Sequence, residues 1–273
     1  MQTNFIYINK ERKKFDAIKN NEQLNAYIDE HWVEGLHNFI LIDEVQEIES
    51  WEKSVRSYRT EEDTDIIITG SNSKMLSSEL STLIGGRYHE IYVQSLSYQE
   101  FLLFHELEDN DDALSKYINY GGLPGLKQVG LDDEEFVWDY IRAVFHTVML
   151  KDIVERNNIR NVSFLNTLLR YFADTIGKLS SLNNISKFMK SQGLDVSVKS
   201  IAAYLNYFRD AYLLLTVDRF DIHGKKLLES NEKIYFGDVG LRNLIAGGER
   251  QGDIEKILEN IVYQQLVRMG YAV

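Results

Sequence analysis

Two acids closing one apolar run are the residues best placed to do chemistry in this sequence. In Asn38-Phe-Ile-Leu-Ile-Asp-Glu-Val-Gln46 the run Phe39–Ile42 ends abruptly in Asp43 and Glu44. A buried strand of a parallel sheet points its C-terminal end at the ligand crevice. Two carboxylates there suit phosphoryl transfer. The first can hold Mg²⁺ through water, and the second can orient or deprotonate the attacking water. The competing reading is a buried strand followed by a solvated acidic turn that starts a helix.

The next apolar run favours the chemical reading. Ile66-Ile-Ile-Thr-Gly-Ser-Asn-Ser73 ends in hydroxyls and an amide. In a parallel sheet the neighbouring strand's end lies beside the acids. Thr69 or Asn72 can then hydrogen-bond the attacking water or a terminal phosphate. A helix N-cap at Ser73 or Asn72 is the alternative use of the same loop. Further on, Gly85-Gly86-Arg87 sets an arginine behind two glycines. Such a side chain can neutralise transition-state charge, in cis or on a neighbouring subunit. A surface arginine paired with a local acid is the plainer reading of Arg87.

A phosphate-cradling loop of the form G-x-x-x-x-G-K-[ST] is not found. Gly177-Lys178 runs into Leu179 and Gly224-Lys225 into Lys226. Neither pair carries the hydroxyl or the earlier glycine, and no G-x-G-x-x-G loop occurs. The six histidines show no H-E-x-x-H spacing, and no G-x-S-x-G elbow is present. Cysteine is absent, which excludes disulfides and thiolate metal sites.

The elements that must position Asp43 and Glu44 follow from periodicity. Residues 5–9, Phe39–Ile42, Ile66–Ile68 and Tyr88–Val93 read as buried strands. Residues 21–33, Trp51–Tyr58 and Met75–Leu83 read as helices between them. That alternation indicates a parallel sheet with helices on its faces. From about residue 111 the pattern turns helical, with Ala113–Asn119, Asp133–Glu155 and Val162–Thr175. Then come helices Ser181–Met189 and Val198–Tyr212 and strands Leu213–Phe220 and Lys226–Phe236. Helix, turn, helix and two-stranded ribbon is the order of a winged helix. Asp253–Arg268 reads as a last helix.

The 273 residues, 44% apolar, suffice for roughly two domains. No apolar run is long enough to span a membrane, and a reducing cytoplasm fits the lack of cysteine. The net charge of −12 is uneven, near −11 over residues 1–110 and +3 over residues 176–235. Nucleic-acid contact therefore belongs in the later block. The outward face of its second helix is expected to show Lys199, Ala203, Asn206, Tyr207 and Asp210. One lysine and an aspartate make a poor base reader, so a protein partner is as well supported as DNA.

Taken in order, these segments resemble the predicted AAA+ ATPases of bacteria and archaea that join an AAA-type core to a C-terminal domain of unknown function. The matching stretches are FIYIN at 5–9, FILIDEVQEIESWEKSV at 39–55, ITGSNSKMLSSELSTLIGGRYHEIYV at 68–93, LSYQEFL at 96–102, YGGLPGL at 120–126, KIYFGDVGLRN at 233–243 and LENIVYQQLVRMGYAV at 258–273. One departure is Ser95, where the family has proline before Leu-Ser. The resemblance implies an α/β fold: a partial AAA+-type parallel sheet with flanking helices, a helical subdomain and a winged-helix domain. The implied boundaries are 1–110, 111–175, 176–237 and 238–273, the last opening a restriction-endonuclease-like region. It implies Asp43 as the Walker B ligand to Mg²⁺ and Glu44 as the catalytic glutamate. Thr69 and Asn72 fall in the first sensor, and Arg87 at the arginine-finger position. ATP and Mg²⁺ are the implied ligands, with a homo-oligomer if Arg87 acts in trans and a DNA or protein partner through residues 176–235. The family's Walker A loop precedes the FIYIN strand with which this chain begins. The expectation is a fragment that binds Mg-ATP weakly or not at all by itself.

Overall fold

The computed structural model describes residues 2–70, 88–218, 231–248 and 251–273. They form two compact units, Met1–Tyr92 and Val93–Val273. In the first, β1 (Thr3–Asn9), α1 (Asn21–His31), β2 (His37–Asp43), α2 (Trp51–Tyr58) and β3 (Thr64–Ile68) alternate along the chain. The strands are parallel in the order β1-β2-β3. Residues of β2 alternate between buried and half-buried, with Asn38, Ile40 and Ile42 inward. Leu24 and Ile28 of α1 and Trp51 and Val55 of α2 close over Ile6, Ile8, Ile40 and Ile42. The Asn20 side chain caps α1 by accepting from the Gln23 N–H. The opposite sheet face carries Phe5, Tyr7 and Ile67, which stay exposed.

Register sets the site. Asn9 pairs with Asp43, and Ile42 with Ile68. The C-terminal ends of all three strands are therefore level, and the polar residues that follow the apolar runs meet there.

The expected strand at Tyr88–Val93 does not form. These residues have no strand assignment, and Ile91 and Val93 are 78% and 85% exposed. Apolar composition alone does not make a strand. The expected helix Met75–Leu83 lies outside the described residues.

The second unit begins with α3 (Tyr98–His105), α4 (Asp111–Tyr120) and α5 (Glu134–Thr147). The single helix expected over Asp133–Glu155 changes character at Val148, where a π-helix runs to Glu155. Then follow α6 (Val162–Asp174), β4 (Leu179–Ser181), α7 (Leu182–Ser191), α8 (Val198–Asp210), β5 (Leu214–Asp218) and β6 (Asn231–Phe236). The ribbon expected from sequence is a three-stranded antiparallel sheet of order β4-β6-β5. A three-residue strand such as β4 is too short to show a period. The unit closes with α9 (Val239–Ala246) and α10 (Ile254–Arg268). One core runs from Phe101 through Phe172, Ile201 and Phe236 to Ala246, so the helical, ribbon and C-terminal segments share it.

Helix α9 escaped the sequence reading for a physical reason. Nearly every residue in it is buried, so it has no polar face and no helical period. Asp238 caps it with Oδ1, which accepts from the N–H groups of Gly240 and Leu241 at 2.8 and 3.1 Å. Its Oδ2 accepts from Gly122 N–H at 2.9 Å. Burial pushes this carboxyl up, against the donated N–H groups of Gly122, Leu241 and Gly240. The clamp explains the Gly-Gly pair: a Cβ on Gly122 would lie 2.2 Å from the Leu96 carbonyl oxygen, and Gly121 sits at φ +75°. Among the described residues no helix is long and apolar enough to cross a membrane.

Candidate functional site

The site is built on the level ends of β1, β2 and β3. Asp43 is the last residue of β2. Its Oδ2 accepts from the Asn9 side-chain amide at 2.9 Å, and its Oδ1 accepts from the Thr69 hydroxyl. Both oxygens are thus oriented by residues from the two neighbouring strands. The zip continues past the formal end of β3. Thr69 N–H donates to Ile42 O at 2.9 Å, and Val45 N–H donates to Thr69 O at 3.0 Å.

Glu44 turns the chain sharply, at φ 57° and ψ 53°. A non-glycine residue in this left-handed region costs roughly 1–3 kcal/mol, so its surroundings must hold it there. They do so from two sides. Glu44 N–H donates to Thr69 Oγ1 at 3.2 Å, and Val45, wholly buried, starts a short 3₁₀ turn behind it. Thr69 therefore serves both acids at once, with its hydroxyl hydrogen on Asp43 and its oxygen on the Glu44 backbone. Lys10 leaves the acids alone: its Nζ donates to the carbonyls of Phe15 and Ile18, each at 2.7 Å.

The Glu44 carboxylate has a partner that the sequence reading missed. Gln46 Nε2 donates to Glu44 Oε2. The other end of the same amide, Oε1, is buried and accepts from no group among the described residues. A buried acceptor without a donor costs about 1–3 kcal/mol. A Cβ on Gly70 would lie only 2.8 Å from that oxygen, so glycine at 70 leaves room for the amide.

Of the residues singled out from sequence, Asp43, Glu44 and Thr69 come together. Asn72 and Arg87 lie outside the described residues. Asn9 and Gln46 belong to the same cluster and were passed over. The signal for Asn9 was available, because FIYI ends in a polar residue as FILI does. Gln46 gave none, since a turn residue two positions past an acid is ordinarily solvated.

The donor set fits a magnesium ion shared with phosphates. One carboxylate with both oxygens pre-oriented is what such an ion takes from the protein, the rest coming from water and phosphate. No group of three or more histidine, aspartate or glutamate ligands occurs among the described residues, so an all-protein cage is not on offer there.

Two other regions bear on function. Helix α8 exposes Lys199, Asn206 and Arg209, while Ala203, Tyr207 and Asp210 are half-buried. The helix is rotated from the expectation, and its outer face offers two cations and an amide. A hollow of about 240 Å³ lined by Phe145, Met149, Leu169, Leu244 and their neighbours opens in the second unit. It is mainly apolar and below the roughly 300–1,000 Å³ of common ligand sites, so the acids rather than the hollow mark the candidate site.

Comparison with known proteins agrees with this fold. Residues 1–102 match the family described as an AAA domain, and residues 111–251 match the domain of unknown function DUF8612. An uncharacterised protein of Haemophilus influenzae is 34% identical over 99% of this chain and 68% of its own length. One of Methanocaldococcus jannaschii is 29% identical over 98% of this chain and 61% of its own length. Among solved structures, a Walker-type ATPase of Pyrococcus abyssi shares the fold, with a TM-score of 0.57 at 13% identity over 89% of this chain and 83% of that one. The AAA+-like α/β fold of this chain, with a three-stranded parallel sheet among the described residues, thus resembles that of the ATPase. With just over half of its residues in the second match, and its likeness to the Haemophilus protein, the chain belongs to the DUF8612 family and carries an AAA domain ahead of that region.

Proposed function

We propose that the first unit is the hydrolytic part of an AAA+-type ATPase whose nucleotide state is relayed to the second unit. The observation that carries this reading is the clamp on Asp43 and Glu44 at the level strand ends. Asp43 would hold Mg²⁺, with Asn9 and Thr69 fixing the carboxylate. Glu44 orients the attacking water and takes its proton. The water oxygen bonds to the terminal phosphorus as the bond to the leaving diphosphate oxygen breaks. Bound with ATP, Mg²⁺ neutralises charge on the phosphoryl oxygens. Asn72 contacts the terminal phosphate, and Arg87 meets transition-state charge in cis or from a second copy. The chain spans about two thirds of the length of the relatives it matches, so the assay belongs on the whole protein.

The test is Asp43→Asn in that protein. Hydrolysis should fall roughly 100-fold, the rate equivalent of about 3 kcal/mol of lost charge stabilisation. The Mg²⁺ concentration for half-maximal rate should rise as well. An unchanged rate and Mg²⁺ midpoint would remove Asp43 from the metal site.

A second reading concerns residues 176–235, where β4, α7, α8, β5 and β6 follow the order of a winged helix. The exposed Lys199, Asn206 and Arg209 support duplex DNA as its partner. Binding should then weaken steeply with salt, in proportion to the phosphates neutralised. Loss of duplex binding at low salt on Lys199→Ala with Arg209→Ala is the expected outcome. No binding by the wild type at low salt would leave a protein partner for this surface.

A further inference from the structure

We infer that Gln46 is a positioning residue for Glu44, holding its carboxylate for attack by water; the inference rests on the ATPase reading above. Three observations carry it. Gln46 Nε2 donates to Glu44 Oε2, so the amide fixes one oxygen of the base. The amide springs from a rigid base, because Val45 is wholly buried and its N–H is bonded to Thr69 O. The same amide buries its Oε1 beside Gly70 with no donor among the described residues.

The third observation separates this role from plain packing. A methionine fills the same space without a buried, unpaired oxygen, so for stability alone an apolar side chain is the better occupant. What the amide adds is its N–H on Glu44. Glu44 takes that N–H while its own backbone sits in the left-handed region, at φ 57°. Gly70 completes the arrangement by leaving room for the amide against the end of β3. The path Thr69–Gly70, Gln46, Glu44 therefore ties the carboxylate to the ends of β2 and β3.

The experiment compares wild type, Glu44→Gln, Gln46→Met and Gln46→Ala in the whole protein with Mg-ATP. Gln46→Met should lower kcat by roughly 10- to 100-fold, the scale of a misplaced catalytic group. KM for ATP should stay within about twofold, because ground-state binding is untouched. Its Tm should equal or exceed that of wild type. Gln46→Ala should lose kcat in the same way and carries the comparison if the methionine variant does not fold. Wild-type kcat in the Gln46 variants alongside loss in Glu44→Gln would overturn the role of Gln46 and leave the ATPase reading standing. So would a rise in KM that matches the fall in kcat/KM, or a lower Tm with full activity restored at low temperature. An unaltered rate in Glu44→Gln would instead sink the ATPase reading, and this inference with it.

Discussion

Glu44→Gln in the whole protein should cut ATP hydrolysis by roughly 10²- to 10⁴-fold, the contribution of a positioned general base. The substitution is isosteric, so the fold should not notice it. Gln46 can still donate to the remaining side-chain oxygen, and the Glu44 N–H keeps its bond to Thr69. ATP affinity should hold or rise, because a negative charge is removed beside the phosphates. The variant should therefore trap bound ATP. Filter binding with labelled ATP, run beside a phosphate-release assay, separates the two effects. Unchanged phosphate release would mean that Glu44 is not the base, whatever its position. Loss of binding and hydrolysis together would mean that the variant damages the fold, and the Tm would then fall with them.

The largest effect on stability should come from Arg242. It is wholly buried, among the largest side chains so placed. Its Nε and Nη2 donate to Ala173 O at 3.0 and 2.8 Å, and Nη2 also to Asp253 Oδ2 at 2.6 Å. Ala173 lies in the last turn of α6, where a cation also meets the negative end of the helix dipole. The guanidinium thus ties α6, α9 and the residue before α10 into one block. Arg242→Ala should cost about 3–5 kcal/mol, because it breaks a buried pair and leaves the buried Asp253 to Lys256 alone. Against a net domain stability of about 5–15 kcal/mol that is a large fraction, readable as a shift in urea midpoint. Arg242→Met with Asp253→Asn should recover much of it, since removing both charges removes the half-broken buried pair. If the double variant is no better than Arg242→Ala, the cost is lost packing rather than a stranded charge.

The same pair sets a pH signature. Burial resists the charged form of Asp253, but Lys256 and Arg242 outweigh it and hold the carboxyl below its ordinary value. A folded-state pKa below the unfolded one gives stability that is present above the unfolded value, near 4. That contribution is lost as pH falls through the folded value. The gap between wild type and Arg242→Ala should therefore be full at neutral pH and narrow below about pH 4. Urea unfolding at several pH values measures it.

The strands carrying the site were legible because a buried parallel strand is a short apolar run, and FIYIN, FILI and III stand out against acidic surroundings. The polar ends of those runs named Asp43, Glu44 and Thr69 as neighbours, since level strand ends are the rule in such a sheet. Tyr88–Val93 shows where composition misleads: Ile91, Tyr92 and Val93 are apolar, yet the segment is not a strand. Helix α9 shows the converse, a real helix hidden because burial on all sides erases its period.

By itself the sequence determined the class of the fold and the acids at the strand ends, because both depend on local pattern. Tertiary structure decided how those acids are held. Asn9 reaches Asp43 only through the register of β1 on β2. Gln46 reaches Glu44 only because the backbone turns left-handed between them. Arg242 became a buried tie only when α6, α9 and α10 were packed together. Register, turn geometry and helix packing are properties of several segments at once, and no single stretch of the chain encodes them.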